Sequence, residues 1–126
     1  IEIDLSLIKA PKTNNHLIIE GAGGLLVPLN SKDTILDLIE TLDVEVILVS
    51  RHYLGSINHT LMSIDVLKQR NISIKGILFN GNENKDTETI ISKMSDVKVL
   101  GRIDELDVVN KSRIHSVAEE LKNNLI

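Results

Sequence analysis

"VEVILVSRHYLGSINHTLMSIDVLKQRNISIKGILFN", residues Val44 to Asn80, decides the fold. Its first seven residues, Val44–Ser50, are β-branched and nearly all apolar, as a parallel strand covered on both faces is. Gly55 and Ser56 then open a segment that carries Ile57, Leu61, Ile64 and Leu67 at helical spacing. Ser56 is the expected N-cap of this helix and Asn71 its expected stop. "ISIKGILFN" (Ile72–Asn80) is again a short apolar run. A strand, an amphipathic helix and a second strand in this order make a right-handed crossover between parallel neighbours.

The same alternation extends outward in both directions. Upstream, "TILDLIETL" (Thr34–Leu42) places Ile35, Leu38, Ile39 and Leu42 on one helical face, with Asp33 as the expected N-cap. Before it, "LIIE" (Leu17–Glu20) reads as another buried strand. Downstream, "KDTETIISKMSD" is a short helix, "VKVLG" (Val97–Gly101) a fourth strand and "KSRIHSVAEELKNNL" a closing amphipathic helix. The expected fold class is therefore α/β: a doubly wound, mostly parallel sheet with helices on both faces. No repeat, low-complexity tract or linker interrupts it, so residues 1–126 are expected to be one α/β domain.

Composition narrows the function classes. Apolar residues make up 42% of the 126, but aromatics only 2%, so Ile, Leu and Val must build the core. The formal net charge is −4 and the basic residues are scattered. A nucleic-acid partner, which needs clustered Lys and Arg, is not expected. There is no cysteine, hence no disulfide framework and no thiolate metal site. No apolar run reaches the ~18 residues of a membrane helix, and the first residues lack the pattern of a signal peptide. A cytoplasmic location fits these features.

Ligands of a doubly wound sheet sit beyond the carboxyl ends of its strands. Four stretches occupy those ends. In the first, Glu20 ends an apolar run and meets Gly21, Ala22, Gly23 and Gly24. A carboxylate there calls for a cation such as Mg²⁺, and the glycines let backbone N–H groups approach an anion. A strand-end acid bonded to its own turn is the plainer alternative, but Glu-Gly-Ala-Gly-Gly after an apolar run favours the site. In the second, the helix start at Gly55–Asn58 offers free N–H groups to a carboxylate or phosphate, or is simply capped. His59, in its first turn, reads as a packed or solvated residue. In the third, Asn80 presents an amide able to read the edge of a purine, or shapes a turn before Gly81. The fourth is "GRIDEL" (Gly101–Leu106). A phosphate-cradling G-x-x-x-x-G-K-[ST] is absent from the sequence, as is a complete G-x-G-x-x-G.

Taken together, "IIEGAGGLLVPL", "VILVSRHYLGSINHTLMSIDVLK" and "IKGILFNGN" resemble dethiobiotin synthetase, in order and in spacing. Cobyrinate amidotransferases share an E-G-A-G element, but not the "LGSINH" partner segment. The resemblance implies a P-loop-related fold and an ATP- and Mg²⁺-dependent closure of a urea ring. CO₂ is joined to 7,8-diaminononanoate through a carbamate that is phosphorylated and then displaced by the second amine. It implies Glu20 as the metal-binding acid. It places Gly21, Ala22 and Gly23 at the γ-phosphate, with Gly23 also against the reacting carbamate. Asn80 and Gly81 match the adenine contacts, as do Asp104, Glu105 and Leu106. Gly55, Ser56, Ile57 and Asn58 match the helix start that holds the substrate carboxylate across a homodimer interface. Asp104 stands where the family commonly has proline; a carboxylate there can accept from an exocyclic amine. On this reading the chain is the carboxyl-terminal portion of a longer nucleotide-binding domain, and the P-loop lysine lies outside it. The alternatives are another ATP-dependent ligase or amidotransferase of the same fold, and a non-catalytic half that binds a partner.

Overall fold

The computed structural model describes residues 3–125. The chain divides into two compact units, Ile1–Val44 and Glu45–Ile126.

In the second unit, β1 (Val46–Arg51), β2 (Ile74–Asn80) and β3 (Val99–Ile103) form a parallel sheet in the order β1-β2-β3. They alternate with α2 (Ser56–Gln69), α3 (Lys85–Ser95) and α4 (Lys111–Leu125). Residues at alternate positions of a strand share a face. Leu48 pairs in register with Ile77, and Ser50 with Phe79. Over that face Ile64 of α2 and Ile91 of α3 close a core with Ile77, Phe79 and Val97. Each fully buried side chain of this size contributes about 1.5–3 kcal/mol. On the other face, Leu78 is in register with Gly101, and Leu121 of α4 packs directly over that glycine. Helices thus cover both faces, as expected for a doubly wound sheet.

Local chemistry sets the ends of these helices. The N-cap of α2 is Gly55, in the left-handed region at φ 99, and not Ser56. Ser56 is the first helical residue and is buried. The turn Tyr53–Ser56 closes by a bond from the Ser56 N–H to the Tyr53 carbonyl, at 3.0 Å. That turn needs a positive φ, which glycine adopts without strain. Asn71 ends the helix as expected, at φ 56, with the Ile72 N–H donating to the Leu67 carbonyl at 3.0 Å. The buried stripe of α2 is Ser56, Thr60, Ile64 and Leu67. Its first turns are rotated from the apolar face read off the sequence, because Ser50 Oγ and Thr60 Oγ1 bond to each other at 2.8 Å inside the unit. Two small hydroxyls satisfied by one another can be buried where a lone one could not. Thr60→Val should therefore destabilise by about 1–3 kcal/mol, since it strands Ser50, whereas Ser50→Ala with Thr60→Val should recover most of that loss. Denaturant midpoints of the two variants check this; a double variant as unstable as the single one contradicts it.

In the first unit, α1 (Ile35–Leu42) buries Ile35 and Leu36. Its N-cap is Thr34 and not Asp33. The Asp37 carboxylate accepts from both the Thr34 N–H and hydroxyl at 2.7 Å, while Asp33 is held by the Asn30 side chain. The first unit also corrects the strand expected at Leu17–Glu20. These residues are exposed and form no strand, Ile18 to 91%. A strand exists only where a neighbour takes up its N–H and C=O groups. Among the described residues of this unit the one β-bridge is Pro28 with Thr34.

Candidate nucleotide and substrate site

The carboxyl ends of β1, β2 and β3 bring several of the expected residues together. Asn80 ends β2 and Gly81 follows, buried. The Gly81 N–H donates to the Ile103 carbonyl at 2.8 Å, and Asn80 Nδ2 donates to the same oxygen at 3.4 Å. Asn80 therefore turns its amide oxygen, an acceptor, away from β3. Asp104 and Glu105 follow that carbonyl and are exposed; Leu106 is half-buried.

The start of α2 lies on a cavity of ≈580 Å³ lined by Tyr53 to Asn58 with Leu61, Thr87 and Met94. The volume is that of a small-molecule site. Gly55, Ser56, Ile57 and Asn58, all expected at a carboxylate, are in that lining. Because Gly55 has no side chain to cap the helix, the N–H groups of its first turn are free of a side-chain cap. Tyr53 Oη and His59 Nδ1 bond at 2.6 Å beside it. His59 is thus tethered to the loop that opens the helix.

Glu20, Gly21, Ala22 and Gly23 belong to the first unit and are all exposed. Gly23 has φ 82, and a Cβ there would stand 2.8 Å from Val27 Cγ2, so the turn requires glycine. The loop is fastened behind: Val27 N–H donates to the Gly24 carbonyl, and the Ile35 and Leu36 N–H groups donate to Val27 and Leu25. The first turn of α1 thus braces the glycine turn. Glu20 suits one ligand of a Mg²⁺ ion, which takes one or two carboxylates and fills its shell with water and phosphate oxygens. Among the described residues no group of three or more His, Cys, Asp or Glu could hold a metal ion, and no helix is long and apolar enough to cross a membrane.

A family model described as an AAA domain matches residues 1–113. The chain belongs to this AAA-domain family. Two relatives are 51% identical to it. One is the ATP-dependent dethiobiotin synthetase BioD of Christiangramia forsetii, aligned over 99% of this chain and 60% of its own length. The other is the protein of the same name from Cytophaga hutchinsonii, over 98% and 61%. The relative from Brucella ovis, also so named, is 44% identical over 91% and 54%. The chain thus spans about 60% of the length of the first two. Their shared name is the one that the three sequence blocks suggested.

This AAA-domain chain also holds a cluster that the sequence did not disclose. Glu88 of α3 accepts from His52 Nε2 at 3.0 Å and lies 3.9 Å from Arg102 Nε. Arg102 Nη2 donates to Glu83 at 3.0 Å, and its Nη1 is 3.4 Å from Asp104. The His52 ring stacks on Phe79 at 5.5 Å, and its Nδ1 is buried without a hydrogen-bond partner among the described residues. With Nε2–H donating to Glu88, what is left unpaired is a lone pair. His52 and Glu88 are far apart in sequence, as are Glu83 and Arg102. Strand order and the packing of α3 bring them together, so no local pattern announces them.

Proposed function

We propose that this chain is the carboxyl-terminal part of an ATP-dependent dethiobiotin synthetase, which joins CO₂, or bicarbonate as its source, to 7,8-diaminononanoate. One observation carries the reading. Asn80 and Gly81, which it assigns to the base, both donate to the Ile103 carbonyl at the end of the adjacent strand, where the Asp104–Leu106 segment starts. The 51% identity to proteins of that name supports it further.

On this reading the Asn80 amide oxygen accepts from the adenine exocyclic amine, with Asp104, Glu105 and Leu106 closing the base site. Gly21, Ala22 and Gly23 let the backbone approach the γ-phosphate, Gly23 also the carbamate. The first turn of α2, at Gly55–Asn58, holds the substrate carboxylate by the N–H groups of Ile57 and Asn58 and the helix dipole, the Ser56 N–H being taken up by the Tyr53 carbonyl. Glu20 holds Mg²⁺, which when bound offsets the negative charge of the phosphates. The site is shared across a homodimer in the cytoplasm, and the P-loop lysine comes from outside this chain.

The test is turnover by the complete protein carrying this chain, given diaminononanoate, bicarbonate, ATP and Mg²⁺. Dethiobiotin is the expected product; its absence overturns the reading. Asn58→Ala separates it from a ligase of another acid. Removing a polar group from the helix start should raise the KM for diaminononanoate about tenfold with little change in kcat, the cost of a hydrogen bond to a charged group. An unchanged KM favours the other ligase.

A further inference from the structure

We propose that Arg102 is a positioning residue for the nucleobase, an inference that rests on the base site described above and names what holds it in shape. Arg102 stands on β3, its side chain 23% exposed, among three carboxylates. Each comes from a different place: Glu83 from the loop after β2, Glu88 from α3 and Asp104 from the segment after β3. The Glu83 loop begins at Asn80–Gly81, and the Asp104 segment begins at the carbonyl that both of those residues bind. One guanidinium therefore fastens both walls of the base site. Glu88 anchors it from below, since its carboxylate is also held by His52 and by the Asn84 N–H at 3.3 Å.

Asp104 is 68% exposed, and a pair this open stabilises the fold by little. Its consequence is directional. The fork of Arg102 presents separate N–H groups to Glu83 and Asp104, which limits where those carboxylates point. The three carboxylates also outnumber Arg102 and Lys85, which lies 3.8 Å from Glu83, and leave the site net negative. Such surroundings suit the amine edge of a base and oppose a phosphate. Arg51 adds a second tie to the same segment, through Glu105 at 3.6 Å. Arg102 touches no reacting atom on this reading; it acts through the groups it orients.

The experiment compares Arg102→Met and Arg102→Lys with the parent in the complete protein. For Arg102→Met the KM for ATP should rise about tenfold, with kcat within about threefold and the KM for diaminononanoate unchanged. The preference for ATP over GTP, as a ratio of kcat/KM, should narrow. Arg102→Lys keeps the charge without the fork and should recover only part of the ATP affinity. Should Arg102→Met not fold, Glu83→Gln, which weakens one wall, should still raise the ATP KM by a smaller factor. An unchanged ATP KM in the folded variants, or an equal loss of kcat and of both affinities that follows melting temperature, overturns the proposal. A parent protein that forms no dethiobiotin overturns the base-site reading and this inference with it. A parent that turns over beside an indifferent Arg102 variant overturns this inference alone.

Discussion

Gly76→Ala should destabilise the protein by about 2–3 kcal/mol, and Gly76→Val by more, as overpacking of a closed core does. A Cβ at position 76 would stand 2.6 Å from the Lys98 carbonyl oxygen and 2.6 Å from Leu100 Cγ. The carbonyl is the harder obstacle. It accepts the Ile77 N–H at 2.9 Å, the bond that seats β3 against β2. Moving it aside loosens the register at the place where the ladder already shifts, between Ile77 and Leu78. Leu100 is fully buried and has nowhere to swing. Against a net stability of about 5–15 kcal/mol for a domain, the loss is a large fraction. The denaturant midpoint should fall with the slope unchanged. Gly24→Ala is the matched control, since a Cβ there meets nothing within 4 Å. Its midpoint should stay within about 0.5 kcal/mol of the parent. Equal midpoints for the Gly76 variants and this control would show that β3 can retreat without loss.

Glu20→Gln should lower kcat in the complete protein by about a hundredfold or more, on the scale of removing a group that stabilises transition-state charge. The substitution keeps the shape and removes the charge. Glu20 is exposed, so folding should be little affected and the melting temperature should stay close to the parent's. Raising Mg²⁺ should restore part of the rate if the lost carboxylate was a metal ligand. Wild-type turnover in this variant would remove Glu20 from the site. A matching fall in melting temperature would assign it to structure.

These two residues show different degrees of legibility. Glu20 is singled out by the sequence, because a carboxylate between Leu-Ile-Ile and Gly-Ala-Gly-Gly is an unusual placement, and its role in the site is the one proposed above. Gly76 is not: a glycine in "IKGILFN" reads as a weak point in a strand, and only the close approach of the Lys98 carbonyl and Leu100 makes it a requirement. Asn80 and Gly55 stand out as the ends of periodic runs, where a turn or a cap explains them as well as a ligand does. The partners of His52 and Arg102 were invisible, because they come from a helix and loops that only strand order and helix packing bring together, and neither has a local signature.

The sequence by itself determined the elements of the second unit. Ile72–Asn80 became Ile74–Asn80, and the closing helix spans Lys111–Leu125, the segment read from its periodicity. Apolar periodicity and end signals act within a few residues, so they survive without a partner. Tertiary structure decided the rest. Leu17–Glu20 has the composition of a buried strand and is none, because its hydrogen-bonding groups need a neighbouring chain segment. Thr60 lies inside because Ser50 supplies the bond that lets its hydroxyl be buried, and the helix is thereby turned so that Ile57 is partly exposed. Propensity belongs to a residue, whereas pairing and burial belong to two surfaces at once, and the second surface is known only when the chain has folded.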